Sequence, residues 1–217
     1  MGFSIVDNNL DEIITNNKKN STVKIELYSR PLTSGEIKLA QSIFKNTIDY
    51  TKVKIFKGSY FSFDLQNEDT FVTPNGSIFI MEKHFKTDYS AASDDYKKIF
   101  LHELGHVWQH NRKFSVLIRA GAVQACGAMT LNYYDPYVYN IWEKSTVAEY
   151  VKHKVVLKRF LDYNLESQAE IFSDYWVLVN NKNLALMKKE NKKNNIDGRS
   201  IQEVLNMYRS KISQVID

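Results

Sequence analysis

The chain has 217 residues, a formal net charge of +4 from 29 basic and 25 acidic side chains, and a single cysteine. That length supports one domain with a substantial core, and thirteen Tyr and twelve Phe against only three Pro exclude a disordered chain. One cysteine excludes an intramolecular disulfide, and lysines scattered without interleaved aromatics exclude a nucleic-acid footprint.

Residues 1–20 are polar and Asn/Lys-rich and read as a loosely held arm, with residues 21–217 as one domain. No basic stretch followed by an apolar one occurs at the start, so no secretory signal peptide is expected. Residues 22–28 alternate and predict a strand. Thr33 or Ser34 caps a helix running to about Asn46, with Ile37, Ala40, Ile43 and Phe44 on its core side. Residues 52–56 alternate again. Residues 71–73 and 77–80 flank Pro74-Asn75-Gly76, a hairpin signal in which Asn-Gly supplies positive φ.

A helix is predicted next, opened by Ser93 as N-cap and by Asp94 and Asp95 in its first turn. It carries His102-Glu103-Leu104-Gly105-His106. Two histidines at i and i+4 project from one face, a turn apart, so both imidazoles reach one metal ion. Glu103 lies beside them, where a carboxylate can take a proton from an activated water; this is the H-E-x-x-H arrangement of zinc peptidases. The alternative, a buried helix with two hydrogen-bonded histidines, would leave Glu103 a costly charge on that face. Gly105 costs about 1 kcal/mol relative to Ala in a helix, which predicts close packing against it. His110 lies about 5.4 Å further along, too far for three ligands of one helix to converge easily, and reads as a rim residue.

Zinc then needs a third protein ligand. Glu166, Glu170 and Asp174 recur every four residues and line one face of a later helix, with Leu165, Ala169, Phe172 and Trp176 on its apolar side. Such a stripe is ordinarily a solvated face. Beside an incomplete two-histidine site, one carboxylate can bind zinc and the next can orient a ligating histidine through its other nitrogen. Between the two helices, residues 114–131 form the longest apolar stretch, read as a buried helix because Arg119 and Gln124 interrupt it. Cys126 within it reads as a buried thiol. No stable membrane span is expected. Tyr137 and Tyr139 would point the same way on a strand and are candidate oxyanion donors, with His153 a weaker one. Residues 188–194 read as a solvated loop, and Ile201, Val204, Leu205, Tyr208 and Ile212 predict a closing amphipathic helix.

On these residues the chain resembles the zincin metallopeptidases in their gluzincin arrangement. Glu166-Ser167-Gln168-Ala169-Glu170 is similar to the E-x-x-A-D motif of CAAX-type membrane metalloproteases, which implies Glu166 as zinc ligand with Glu170 supporting it. The E-x-x-x-D register of thermolysin-like enzymes would instead make Glu170 the metal ligand and Asp174 its support. The first register is preferred, and the sequence leaves both open. Residues 30–33, 48–50, 53–55, 73–76, 102–109, 137–139 and 166–169 also resemble a bacterial group of Vgr-related, Rhs/Vgr-associated proteins.

These resemblances imply an α+β zincin-like fold with a small N-terminal sheet, an active-site helix and a helical C-terminal half. They also imply that residues 77–81 are an edge strand able to pair with an extended peptide, although a plain structural edge strand reads equally well. The expected activity is zinc-dependent peptide-bond hydrolysis with Glu103 as general base. The expected setting is a type VI effector toxin, cytoplasmic in the producer and delivered into target cells on a secretion spike, with an immunity protein as inhibitor. The alternative is a metal-stabilised adaptor domain that cleaves nothing.

Overall fold

Thr33 opens the first helix through a reciprocal capping box: its side chain accepts from the Glu36 amide, and the Glu36 carboxylate accepts from the Thr33 amide. The computed structural model describes residues 27–60, 71–113, 135–145 and 157–216. The polar arm, most of the 22–28 strand, the 114–131 segment with Cys126, and His153 lie outside those residues.

In chain order the described elements are β1 (Ser29–Pro31), α1 (Ser34–Phe44), β2 (Lys54–Lys57), β3 (Phe71–Val72), β4 (Ile78–Ile80), α2 (Asp94–Asn111), α3 (Leu165–Val179), α4 (Lys189–Asn195) and α5 (Ile201–Ile216). The protein is thus a mixed α+β chain with a small sheet followed by a helical half. The sheet order is β1-β2-β4-β3, with β2 and β4 parallel and both outer pairs antiparallel. Ile55, Ile78 and Ile80 are fully buried. The Pro74-Asn75-Gly76 turn joins β3 to β4 as predicted, with Gly76 at φ +81° and Asn75 at negative φ.

Two expectations are corrected. Residues 77–81 do not form an edge: β4 is hydrogen-bonded on both sides, and β3 is the outer strand beside it. The apolar run Ile78-Phe79-Ile80 belongs to an interior strand, buried on both faces. Residues 188–194 are not a solvated loop either. They fall largely in α4, whose Asn191 and Asn195, at i and i+4, are fully buried and bond the backbone of Tyr137, Tyr139 and Ile141. A polar composition concealed this helix because its buried face is amide, satisfied by an irregular segment's backbone.

The helical core centres on Phe172 of α3, whose ring lies 4.7 Å from Phe44, 4.9 Å from Phe160 and 5.3 Å from Trp108 between centroids. Leu101, Leu104, Val107 and Trp108 form the buried back of α2. Where α2 meets α3, a Cβ added to Gly105 would sit 2.9 Å from Ala169 Cα and 3.0 Å from its Cβ. The glycine that sequence flagged is therefore a point of close approach between the helices. Among the described residues, no helix is long and apolar enough to cross a membrane.

Candidate metal centre

The Gly105–Ala169 contact brings the polar faces of α2 and α3 together a turn away. Nε2 of His102 lies 3.3 Å and Nε2 of His106 lies 3.2 Å from the same oxygen, Oε2 of Glu166. These three ligand atoms lie within 4.8 Å of one another. Asn164 fixes the start of α3 by accepting from the Ser167 amide, which sets Glu166 in the first turn facing α2.

The outer nitrogens decide what this cluster can hold. His102 Nδ1 is 2.9 Å from Glu170 Oε2, and a carboxylate in its ionised form can only accept there. His106 Nδ1 is 2.8 Å from Oε1 of Gln109, whose amide is oriented by donation from Nε2 to the Leu165 carbonyl at 2.8 Å. Both rings therefore donate outward from Nδ1. In their neutral forms both then present an Nε2 lone pair to a carboxylate oxygen, three electron-rich atoms around one point. Only protons or a cation relieve that arrangement.

The electrostatics of the cluster agree. Burial pushes the His102 imidazole down, but the Glu166 and Glu170 carboxylates outweigh it and raise the pKa to about 10. His106 is likewise raised, by Glu166 against its burial. Burial would favour neutral Glu166, yet the two histidines hold it well below the usual carboxylate range. The cluster calls for positive charge at its centre. Two imidazoles and a carboxylate form a donor set that suits zinc.

Glu103 is buried beside the histidines, and its Oε2 accepts from Thr73 Oγ1 at 2.7 Å. It lines a cleft of about 310 Å³ together with His102, Phe71, Lys98, Ile99, Tyr137 and Glu170. Glu170 supports His102 from its outer side and lies opposite the point of convergence, the placement of the first register above. Its second oxygen is 2.6 Å from Lys98 Nζ, which also pairs with Asp174 Oδ1 at 3.1 Å. Burial works against the Glu170 carboxylate, but His102 and Lys98 lower it to about 2. Burial instead raises Asp174 to about 6, against the pull of Lys98.

Tyr137 and Tyr139 part company. The segment carrying them is not a strand. Tyr137 packs its ring 5.7 Å from the His102 ring, and burial raises its hydroxyl above the ordinary tyrosine range. Tyr139 turns into the interior, with its hydroxyl 2.7 Å from Asp174 Oδ2 and 2.6 Å from the Tyr208 hydroxyl. His110 is exposed, with its ring against Gly76. Lys98, Gln109 and Thr73 are the contributors that sequence reasoning missed. Lys98 at four before His102 and Gln109 at three after His106 share the histidine face, which was a readable signal. Thr73 had none, because only the docking of the hairpin brings it to Glu103.

No family model matches the chain. Over 152 residues, 70% of its length, it is 33% identical to the type VI secretion system spike protein VgrG2b of Pseudomonas aeruginosa, an alignment that spans 13% of that protein. Among solved structures, the effector domain of Pseudomonas aeruginosa VgrG2b is similar to it with a TM-score of 0.62 and 25% identity. That likeness covers 95% of this chain and 94% of that one. The chain is thus a homologue of the VgrG2b effector domain.

Proposed function

We propose that the chain is a zinc-dependent peptidase of the zincin-like type, acting as an effector of a type VI secretion system. The observation that carries this reading is the convergence of His102 Nε2, His106 Nε2 and Glu166 Oε2 beside a buried Glu103, with each imidazole anchored by its outer nitrogen. Zinc bound there supplies Lewis acidity and brings the pKa of water toward about 7. Glu103, steadied at Oε2 by Thr73, takes the proton of the attacking water at Oε1 and passes it to the leaving amine. Tyr137, kept protonated by burial, is the candidate donor to the carbonyl oxygen as it gains charge. Tyr139 is committed to Asp174 and Tyr208 and serves the core.

The adaptor reading would need a protein side chain such as Glu170 in the fourth position. Glu170 engages the opposite nitrogen of His102, and His102 and Glu103 open onto the cleft, which supports hydrolysis over a closed structural site. Homology to a spike protein's effector domain supports delivery on a secretion spike into target cells. The substrate is a protein or peptide chain. The test is Glu103→Gln with zinc content and hydrolysis of an unfolded protein substrate measured together. Zinc should stay bound while hydrolysis falls roughly 10²- to 10⁴-fold. Unchanged hydrolysis would overturn the mechanism.

A further inference from the structure

Lys98 is a buried ammonium group one helical turn before His102, and the proposed chemistry gives it no task. Its Nζ lies 2.6 Å from Glu170 Oε1, while the other oxygen of the same carboxylate receives His102 Nδ1 at 2.9 Å. Glu170 is therefore shared between an ammonium and a metal-ligand imidazole. The lysine is itself fixed from behind: Asp174, fully buried, pairs with it at 3.1 Å and is held by Tyr139 at 2.7 Å and Asn191 at 3.4 Å. Tyr208 closes the chain against Tyr139, so the anchorage extends to α4 and α5.

We propose that Lys98 is a positioning residue of the metal centre which, by drawing on Glu170, restrains how strongly His102 donates to the metal. The inference rests on the zinc reading of His102, His106 and Glu166. A carboxylate on the outer nitrogen makes an imidazole a stronger donor. An ammonium on that carboxylate withdraws part of the effect, and its own buried charge opposes a cation nearby. Both effects loosen metal binding and leave the bound metal more electron-poor, hence a better Lewis acid. A lysine that only strutted α2 against α3 would have the opposite signature, because its loss would disorder the ligands and weaken binding.

Zinc dissociation constants of the full chain, measured by competition with a chromophoric chelator, distinguish the two. Lys98→Met should bind zinc about tenfold tighter than wild type. Lys98→Arg, which restores the charge on Glu170, should return to the wild-type value. The cobalt(II) absorption bands of both variants should keep the wild-type intensity, since the ligand set and coordination number are unchanged. Weaker or unchanged zinc affinity in Lys98→Met, or cobalt bands whose intensity shows a changed coordination number, overturns the proposal. Because Lys98→Met leaves two buried carboxylates facing each other, Lys98→Met/Asp174→Asn is measured beside it. It too should bind more tightly than wild type, and affinity at or below wild type overturns the proposal even if the single variant does not fold. A wild-type chain that takes up no zinc overturns the zinc reading together with this one. Wild-type uptake without tightening overturns this one alone.

Discussion

At the scale of single residues, the centre depends as much on what holds the imidazoles as on the imidazoles. Gln109 fixes the His106 tautomer only because its own amide is pinned by the Leu165 carbonyl and by Gln168. Gln109→Leu removes that acceptor at nearly constant volume, so zinc affinity should drop roughly 10- to 100-fold. Equilibrium dialysis against a chelator reads this, and wild-type affinity would show that His106 needs no support. The two histidines were legible in sequence because helical spacing alone places them a turn apart. Glu166 against Glu170 was not, since both lie on one face of α3. The choice depends on how far α3 slides along α2, and the crossing at Gly105 and Ala169 sets that.

At the scale of elements, that crossing is the part of the fold most sensitive to one methyl group. Gly105→Ala gains about 1 kcal/mol of helix propensity but drives a Cβ to 2.9 Å from backbone in the facing helix. Overpacking of this kind costs typically 1–3 kcal/mol, so the net should be a loss of about 1 kcal/mol and a Tm lower by roughly 2–4 °C. The separation of α2 and α3 should also grow, weakening zinc binding in a titration of the same variant. A stabilised variant with intact metal affinity would refute the close-approach account. Helices α1, α2, α3 and α5 were readable because each carries an apolar stripe, and α1 its Thr33 cap as well; Ser93 stands at the N-cap of α2 without a side-chain capping bond. Helix α4 was not, because Asn191 and Asn195 give no apolar period. The place of β4 inside the sheet was not either. An apolar triplet fits an edge or an interior strand until its partners on both sides are known.

At the scale of the whole molecule, the cluster couples stability to pH and, on the zinc reading, to metal. In the metal-free protein, burial lowers His102 but Glu166 and Glu170 raise it to about 10, above its ordinary 6.5. A group raised on folding stabilises fully below its unfolded pKa and loses that contribution as pH climbs through the folded one. Metal-free Tm should therefore fall between pH about 6.5 and 10. Asp174, raised by burial to about 6, adds a loss of the same sign at lower pH. Zinc takes the place of those protons, so the Tm gap between zinc-loaded and chelator-treated protein should widen as pH rises. A gap that closes would contradict the assignment. The likeness to the VgrG2b effector domain covers 95% of this chain, so the sheet and the helical half are matched together as one fold. The central claim is that His102, His106 and Glu166 hold one zinc. Anomalous diffraction at the zinc edge from crystals grown with zinc tests it most directly. The account predicts a single peak about 2.0–2.2 Å from both Nε2 atoms and from Glu166. A peak bound to Glu170 in place of Glu166, or no peak between the histidines, would contradict it.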